Sequence, residues 1–563
     1  MRKTRSFSLL ATALVAIPSL CFAINKSNNA DIIRRNYDIF TSVVNFVEAN
    51  YVDSLPLEKM FEEAISGFLD PLDPYTDFFN EKDAKEFFQN TKGEYAGIGT
   101  FLQQKGDYIV ITQPQEGSPA LQGGLKTGDI IIRVDTTDAK GMSVDQLREH
   151  VMGIPGTTVN LRVNRPFVGA DSILDFTLTR AMLNNPTVSY YGVDKDGIGY
   201  ISLDKFGDNS IEEMSDALQN ILKDKNLKGI VIDVAGNPGG TLESVVGILE
   251  LIVPKGTTVL TVKSAQREKK YTTTKQPLVP KDMPLAIIID GSSASAAEVL
   301  AGTLQDLDRA VLVGSRSYGK GLVQSTMPTP YNTMVKITTA KYYIPSGRLI
   351  QAYDYSRRNA DGSVAHVPDS LARAFKTKAG RTVYDGGGLT PDSVPQKNEY
   401  KPIAFALYDQ DKFFDYANKY AASHKEISSP RDFRITDEIY ADFVEFVDPK
   451  TFRYSTDGEK MVKKLRKYLK DEGLIDEEVD KRLTALEESL TRDVEKDLQD
   501  SRSYIEMLLT PEIVSRYYGN AGYEESLLNF NKTYEQAKRI LLDKALYKKI
   551  LSAPVASTSD KKK

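Results

Sequence analysis

Residues 284–324, PLAIIIDGSSASAAEVLAGTLQDLDRAVLVGSRSYGKGLVQ, decide the fold of this 563-residue chain. Two apolar runs within them, at 285–290 and 310–314, have the composition of strands that are buried on both faces of a sheet. A turn at 291–293 follows the first run, and small residues from Ala294 to Ala301 predict the start of a helix. Strand, helix and strand in this order indicate an α/β core, with Ser295 where the strand gives way to the helix.

A lysine completes the chemistry that this serine would need. Lys320 stands 25 residues after Ser295, in a glycine-flanked turn that follows the second strand. A serine hydroxyl is a weak nucleophile, and a lysine amine in an apolar pocket can be neutral enough to remove its proton. Gln324, four residues further on, would reach the amine if the turn continued as a helix. The N–H of Ala296, at the helix start, would face a developing oxyanion.

The motifs SASAAE at 293–298 and YGKG at 318–321, with Gln324 after them, resemble the C-terminal processing or tail-specific peptidases, which are serine–lysine enzymes. The resemblance implies that Ser295 is the nucleophile, that Lys320 is the general base and that Gln324 orients the lysine. Asp306, eleven residues after Ser295, matches an acidic position near the active site and is a candidate supporting residue. The fold that the resemblance implies for residues 181–397 is a ClpP/crotonase-like α/β core.

A second turn of the same region is expected to complete the site. The sequence Asn-Pro-Gly-Gly at 237–240 lies between an apolar strand and an amphipathic helix, and in the family this turn supplies an oxyanion-hole N–H. The resemblance implies that Gly239 or Gly240 does so here, since a residue without a Cβ leaves room for a substrate backbone. Ala235 stands where the family usually has arginine, so no side-chain role is assigned there.

Residues 93–180 predict a small β-rich module whose order of strands and glycine turns resembles a PDZ domain. Such domains bind a peptide as an added strand and hold its terminal carboxylate with backbone N–H groups of a glycine loop. The resemblance implies that this loop consists of Gly97, Ile98, Gly99, Thr100 and Phe101. Ile98 and Phe101 would offer apolar contacts to the last side chains of a substrate. Met152 stands where the family often has an arginine that couples peptide binding to the active site, which favours capture alone.

The composition removes several other classes of function. Cys21 is the only cysteine, and the three histidines are His150, His366 and His424. Disulfides, thiol catalysis and cysteine metal sites are therefore excluded, and no histidine spacing indicates a metal or another cofactor. The net charge of −5 argues against a nucleic-acid surface.

The two ends of the chain have different compositions from the rest. Residues 1–23 combine a basic start, an apolar stretch shorter than a membrane span and a small residue suited to cleavage near Ala23. Lipid attachment at Cys21 is the alternative, but the bulky Leu20 before it disfavours that site. We therefore expect an exported or periplasmic protein without a stable membrane span. Residues 24–92 and 398–552 predict helical regions, and 553–563 a disordered tail.

The interpretation as a whole is a multidomain α+β serine endopeptidase that selects protein or peptide substrates by apolar C-termini. Two alternatives from other classes stay open. A catalytically silent PDZ scaffold would bind tails without cutting, although Ser295 and Lys320 are both present. An acyl-group enzyme on a related fold would not need the PDZ-like insertion. Self-association as a homo-oligomer cannot be judged from the sequence.

Overall fold

A computed structural model describes residues 28–92, 94–169, 172–358, 363–396 and 401–552. The chain divides into two compact units, Met1–Leu69 and Asp70–Lys563. The expected targeting segment at 1–23 and the expected tail at 553–563 lie outside the described residues.

The first unit contains two helices, α1 (Asn28–Asn50) and α2 (Leu57–Leu69). They contact each other through the rings of Phe40 and Phe61, whose centroids are 6.3 Å apart. Most of their large apolar side chains are nevertheless exposed, namely Ile32, Ile33, Tyr37, Ile39, Phe40, Val43, Phe46, Leu57, Met60, Phe61 and Phe68. The helical spacing that the sequence indicates is present, but this unit does not bury its own apolar face.

The second unit opens with β1 (Asp77–Phe79) and α3 (Glu81–Lys92) and continues into the PDZ-like module. The elements of this module are β2 (Glu94–Gly97), β3 (Thr100–Lys105), β4 (Tyr108–Pro114), α4 (Pro119–Gln122), β5 (Ile130–Val134), β6 (Thr137–Asp138), α5 (Val144–Val151), β7 (Thr158–Asn164), β8 (Ile173–Thr179) and β9 (Ala181–Asn184). Its sheet has the order β3-β4-β5-β7-β8, with β6 beside β5. β2 and β9 pair antiparallel where the chain enters and leaves the module, which makes it an insertion.

The protease-like core is built on a central sheet. Its elements are β10 (Val188–Val193), β11 (Ile198–Leu203), α6 (Ser210–Ile221), β12 (Gly229–Asp233), α7 (Leu242–Ile252), β13 (Thr258–Ser264), β14 (Glu268–Thr272), β15 (Leu285–Ile289), α8 (Ala296–Asp306), β16 (Val311–Gly314), β17 (Leu322–Pro328), β18 (Met334–Tyr343), β19 (Tyr353–Arg358), β20 (Val364–His366), β21 (Ala374–Lys376) and β22 (Thr382–Tyr384). The central sheet has the order β10-β11-β12-β15-β16, and its last four strands are parallel. A second, antiparallel sheet contains β1, β18, β13 and β14, with β17 beside β18.

The chain ends in a helical region. Its helices are α9 (Pro402–Asp409), α10 (Lys412–Ser423), α11 (Asp437–Val447), α12 (Asp457–Asp471), α13 (Glu477–Leu490), α14 (Val494–Asp500), α15 (Arg502–Leu527), α16 (Lys532–Leu542) and α17 (Lys544–Leu551). The helices α9 to α11, α14 and α15 share an apolar core of their own. Despite its charged composition, the region 398–552 thus contains a packed domain with an apolar core.

The last two helices belong to the central sheet rather than to that domain. Side chains of α6, α7 and α8 cover one face of the sheet. Tyr534, Ala537, Ile540 and Leu541 of α16 cover the other face, packed with Tyr190 and apolar residues of the parallel strands. Parallel strands require cover on both faces, and here the chain supplies the second layer more than 200 residues after the last of the strands that need it.

Candidate active site

The turn between β15 and α8 presents Ser295 in an unusual backbone conformation. The side chain of Asp290 accepts the N–H groups of Ser292 and Ser293, each at 2.9 Å, and the Ser293 hydroxyl donates to the Val234 carbonyl at 2.6 Å. Ser295 itself has φ 55° and ψ −115°, outside the regions that residues with a Cβ ordinarily occupy. Such strain is concentrated at functional sites, and a nucleophilic serine on a sharp strand-to-helix turn is known from the α/β-hydrolases.

One buried carboxylate joins this turn to the turn that contains Lys320. The Oε2 atom of Glu298 accepts the N–H of Ser295 at 3.0 Å and the N–H of Lys320 at 2.8 Å. Its Oε1 atom accepts the N–H of Gly319 at 2.7 Å and the Ser317 hydroxyl at 2.5 Å. Burial raises the pKa of Glu298 to about 7, although these four donors act in the opposite direction. Glu298 therefore fixes the Ser295 and Lys320 segments relative to each other.

Glu298 is the last residue of the serine motif at 293–298, and the motif by itself assigns it no role. The spacing Ser-x-x-Glu from Ser295 is that of a capping box, in which the glutamate bonds back to the N-cap N–H. That signal predicts the contact with Ser295. It contains no information on the contact with Lys320, which comes 22 residues after Glu298.

The turn at 237–240 lies directly beside the serine. A Cβ placed on Gly239, whose φ is +102°, would lie 2.8 Å from the Ser295 Cβ and 2.9 Å from the Ala296 nitrogen. The N–H of Gly239 donates to the Asn237 side chain at 2.8 Å. Within the described residues, the N–H groups of Gly240 and Ala296 have no acceptor. Of the predicted oxyanion donors, the N–H groups of Gly240 and Ala296 are thus free to bind an oxyanion. The N–H of Gly239 is not, but the missing Cβ of Gly239 leaves room beside Ser295.

The side chain of Lys320 does not meet Ser295 in this arrangement. Its Nζ atom lies 4.2 Å from the centroid of the Tyr75 ring, and no hydrogen bond joins it to the Ser295 hydroxyl in the part of the chain that is described. Burial lowers the pKa of Lys320 and the charge of Lys336 lowers it further, whereas Asp73 and Glu298 raise it. The net effect is a lowered pKa, which makes the neutral amine that a general base needs easier to reach than in a free lysine.

A second tyrosine stands between the two candidate catalytic segments. The hydroxyl of Tyr342, on β18, donates to the Lys320 carbonyl. Burial raises the pKa of this phenol well above its usual value, Glu298 adds to that, and a hydrogen bond with the Ser295 side chain opposes it. The sequence alone assigns no role to Tyr342. The structure places its hydroxyl beside both Ser295 and Lys320.

The chain does not continue as a helix after Lys320. It enters β17, so that the four-residue spacing to Gln324 is a strand spacing and does not stack the two side chains. The Gln324 amide donates to the Thr338 hydroxyl at 3.2 Å. The role of Gln324 in orienting the lysine stays a prediction.

Asp306 lies at the opposite end of α8 from Ser295. Eleven residues of helix separate the two by about 16 Å. The carboxylate of Asp306 pairs with Arg348 at 2.9 Å, both side chains being almost fully buried, and accepts the N–H of Ser346 at 2.9 Å. It therefore anchors the turn after β18. The same segment holds the glycines on either side of Lys320, because Gly321 donates to the Gln351 side chain and Ala352 donates to the Gly319 carbonyl.

The expected carboxylate loop occupies the link between β2 and β3. Gly99 has φ +80°, and its carbonyl accepts the Gln115 N–H at 2.9 Å. The next strand, β3, forms an edge of the module's sheet, where a peptide could be added. Phe101 is 48% exposed beside this edge. The Ile98 side chain is 2% exposed and packs in the core of the module, and its expected contact with a ligand stays a prediction.

Two further properties concern the described residues as a set. No group of three histidine, cysteine, aspartate or glutamate side chains among them is arranged to hold a metal ion. None of their helices combines the length and hydropathy needed to cross a bilayer.

Comparison with known proteins adds to this geometry. The family model described as peptidase family S41 matches residues 197–356, which include Ser295, Lys320 and Gln324. A PDZ domain model matches residues 88–164, and a model described as a probable PDZ-protease C-terminal helical domain matches 403–541. A carboxy-terminal-processing protease of Bartonella bacilliformis is 32% identical over 345 residues, covering 61% of this chain and 78% of that protein. The chain belongs to the carboxy-terminal-processing proteases of peptidase family S41. It is a serine peptidase with a PDZ domain.

Other relatives are similar over the same extent. A probable CtpA-like serine protease of Staphylococcus aureus is 31% identical over 348 residues, covering 61% of this chain and 68% of that protein. Among solved structures, a photosystem II D1 C-terminal processing protease is 25% identical and covers 55% of this chain and 83% of that one, with a TM-score of 0.33.

Proposed function

We propose that this peptidase cleaves its substrates with a serine–lysine dyad. Ser295 Oγ attacks the scissile carbonyl, and the neutral amine of Lys320 takes the hydroxyl proton and then gives it to the leaving amine. The N–H groups of Ala296 and Gly240 stabilise the oxyanion. The observation that carries this proposal is the Glu298 carboxylate, which accepts backbone N–H groups from both Ser295 and Lys320 and so holds nucleophile and base in one site.

The dyad requires a rotation of the Lys320 side chain from Tyr75 towards Ser295. The backbone of both residues is already held by Glu298, so only side-chain torsions need to change. Tyr342 supports the active arrangement, since its hydroxyl contacts the Lys320 carbonyl and the Ser295 side chain. Gln324 would then hold the amine, after leaving Thr338.

The PDZ domain is proposed to select substrates by a free, apolar C-terminus. The edge strand β3 would pair with the tail, backbone N–H groups between Gly97 and Phe101 would bind its carboxylate, and the exposed Phe101 ring would contact its last side chains. Phe101 also lines a cavity of about 1380 Å³ that continues between the PDZ domain, the core at Lys205 and the helical region at His424. A polypeptide held at the loop could therefore extend towards the core.

An exported location is part of the proposal. It is supported by the composition of residues 1–23 and by the absence of cysteine after Cys21. Sequencing the N-terminus of the protein purified from periplasm or medium should give a start just after Ala23. A start at Met1, or a lipid on Cys21, would contradict it.

A second copy of this chain is proposed to cover the exposed apolar side chains of α1 and α2. Helices of 23 and 13 residues cannot bury so wide an apolar face on each other, and two identical pairs would complete a four-helix bundle. Sedimentation should show a dimer that Phe46→Glu dissociates and Asn45→Glu, on the same helix, does not. A monomeric wild type would contradict this proposal.

The dyad is tested by comparing Ser295→Ala and Lys320→Ala with Ser292→Ala and Lys341→Ala on an unfolded protein substrate. The first two variants should fold normally and lose at least about a thousandfold in kcat/KM, while the controls stay active. Cleavage by Ser295→Ala would remove the mechanism. A protein that binds tails but never cuts would support the scaffold alternative.

The tail proposal is tested with one substrate that ends in a free or an amidated apolar residue. Losing a hydrogen bond to a charged group should weaken capture about ten- to a hundredfold. We expect this effect mainly in KM, because Met152 stands where the family resemblance implies an arginine that couples binding to catalysis. Equal rates for the two termini would contradict the proposal.

A further inference from the structure

The Tyr75 ring that contacts Lys320 is fixed from its backbone side. Tyr75 belongs to the turn between α2 and β1, in which the Asp73 carboxylate accepts the N–H groups of Tyr75 and Thr76, both at 2.9 Å. The Thr76 hydroxyl accepts the N–H of Thr338 from β18 at 3.1 Å. The turn is thus tied to the strand that also carries Tyr342.

The far end of the ring is held as well. The hydroxyl of Tyr355 donates to that of Tyr75 at 3.2 Å, and the hydroxyl of Tyr75 donates to that of Tyr318 at 3.4 Å. The rings of Tyr75 and Tyr355 meet edge to face, with centroids 5.9 Å apart. Because Tyr318 lies two residues before Lys320, this network connects the Tyr75 ring to the base turn itself.

The contact between amine and ring depends on the charge of the amine. An aromatic face attracts a cation through its quadrupole, whereas a neutral amine gains little from it. Three other charges act on Lys320: Lys336 on β18 disfavours its protonated form, and Asp73 and Glu298 favour that form. The ring therefore adds to the groups that keep the lysine charged, and it does so where the described residues show no hydrogen bond between the amine and the Ser295 hydroxyl.

We propose that Tyr75 is a positioning residue that holds protonated Lys320 away from Ser295, so that the enzyme rests in an inactive form. The proposal rests on the proposed function, in which neutral Lys320 is the base. Lys320 then has two positions, a charged one on Tyr75 and a neutral one on Ser295. Loss of the proton, or any substrate-driven shift of the 72–78 turn, moves it to the second.

The experiment measures kcat/KM against pH for wild type, Tyr75→Leu and the matched control Tyr75→Phe, with one unfolded protein substrate. Phenylalanine keeps the ring face and loses only the hydroxyl, whereas leucine keeps the site apolar and removes the face. For Tyr75→Leu we expect the midpoint of the profile to fall by about half to one and a half pH units, with activity at pH 7 raised about three- to thirtyfold. Tyr75→Phe should stay near wild type.

Two results would overturn the proposal. If Tyr75→Leu has the wild-type midpoint, the ring does not act on the base. If Tyr75→Phe shifts as far as Tyr75→Leu, the hydroxyl network is responsible and the ring face is not. The rate at which a fluorophosphonate labels Ser295 should follow the same profile, which removes tail binding from the comparison, and Ser295→Ala provides the blank.

A second series keeps the test informative if Tyr75→Leu folds poorly. Phenylalanine analogues with increasing fluorination at position 75 preserve the shape of the ring while weakening its attraction for cations. The midpoint should fall stepwise with fluorination, and a constant midpoint would overturn the proposal. Failure of the dyad is recognised separately, because Lys320→Ala would then retain activity whatever the Tyr75 variants do.

Discussion

The two halves of the proposed active site differ in how completely they are assembled. On the nucleophile side, the strained Ser295 backbone, the start of α8 and the glycine turn at 237–240 are packed against one another within van der Waals distance. On the base side, the backbone of Lys320 is held just as firmly by Glu298, but its amine lies on Tyr75. In this site a backbone that is held in place does not by itself bring the Lys320 amine into contact with Ser295.

The difference locates the step at which activity can be controlled. A nucleophile turn fixed by buried hydrogen bonds can change only at the cost of local unfolding, whereas a lysine side chain changes position by rotation about single bonds. Substitutions on the nucleophile side should consequently abolish activity, and substitutions around the lysine should shift its pH dependence.

Among the substitutions that test this comparison between the two sides, the largest effect is expected from Gly239→Ala. The added methyl would lie 2.8 Å from the Ser295 Cβ and 2.9 Å from the Ala296 nitrogen, next to the proposed oxyanion donor. We expect kcat/KM to fall by about a hundred- to a thousandfold, because the methyl would keep the oxyanion from the Ala296 N–H, and loss of one such donor has an effect of this size. Gly236→Ala is the matched control, since Gly236 has a similar positive φ and nothing within 4 Å of its Cβ position. If both variants lost similar activity, the requirement for glycine at position 239 would come from its positive φ and not from its closeness to Ser295 and Ala296.

Asp306→Asn should act on stability and, through the turn after β18, on the base side. Removing the charge leaves the buried Arg348 without its ion pair, which typically costs about 3–5 kcal/mol of unfolding free energy. Activity should fall together with the folded fraction, and denaturant unfolding followed in parallel with cleavage measures both. Glu268→Gln, which breaks an exposed pair with Lys263, should cost less than about 1 kcal/mol. A fully folded, inactive Asp306→Asn protein would instead place Asp306 in the catalytic machinery.

Glu298→Gln should lower kcat/KM about ten- to a hundredfold, because the amide NH₂ turns towards backbone donors that the carboxylate accepted. The exposed Glu243→Gln is the control.

The pH dependence of stability gives a second test of the role of Glu298. Since burial raises the pKa of Glu298 from 4.5 to about 7, the stability due to its protonation is complete below about 4.5 and is lost as the pH rises through about 7. Melting temperatures across this range should fall in wild type and vary less in the variant. If the melting temperatures of wild type and Glu298→Gln fell equally with pH, the pH dependence could not be assigned to Glu298.

The parts of this protein that the sequence predicts are those set by local patterns. The apolar runs at 285–290 and 310–314 became the parallel strands β15 and β16, because side chains buried on both faces must all be apolar. The same pattern cannot say what covers them. The apolar face of α16 carries Tyr534 and Ile540 among lysines, and only the folded chain places it on the sheet.

The candidate site also consists of residues that local motifs predict and residues that they do not. Family motifs led to Ser295, Lys320 and the glycine turn, which the structure brings to one place. They did not lead to Tyr75 as a neighbour of Lys320, since those residues lie 245 positions apart, in the turns before β1 and β17. Nor can a motif determine which rotamer a lysine adopts, because that depends on charges and rings contributed by distant segments.

The smallest effect concerns a charge beside the base. Lys336, also on β18, contacts the rings of Phe79 and Phe87 and lowers the pKa of Lys320 by repulsion. Lys336→Gln removes that repulsion, so the pKa of Lys320 should rise and less neutral amine should be present at pH 7. We expect activity at pH 7 to fall about two- to fivefold and to return to the wild-type value at high pH, where the lysine is neutral in both proteins. Lys341→Gln, exposed on the same strand, should leave the profile unchanged. A loss that persists at high pH would show damage to the site itself, and equal shifts in both variants would show a general charge effect.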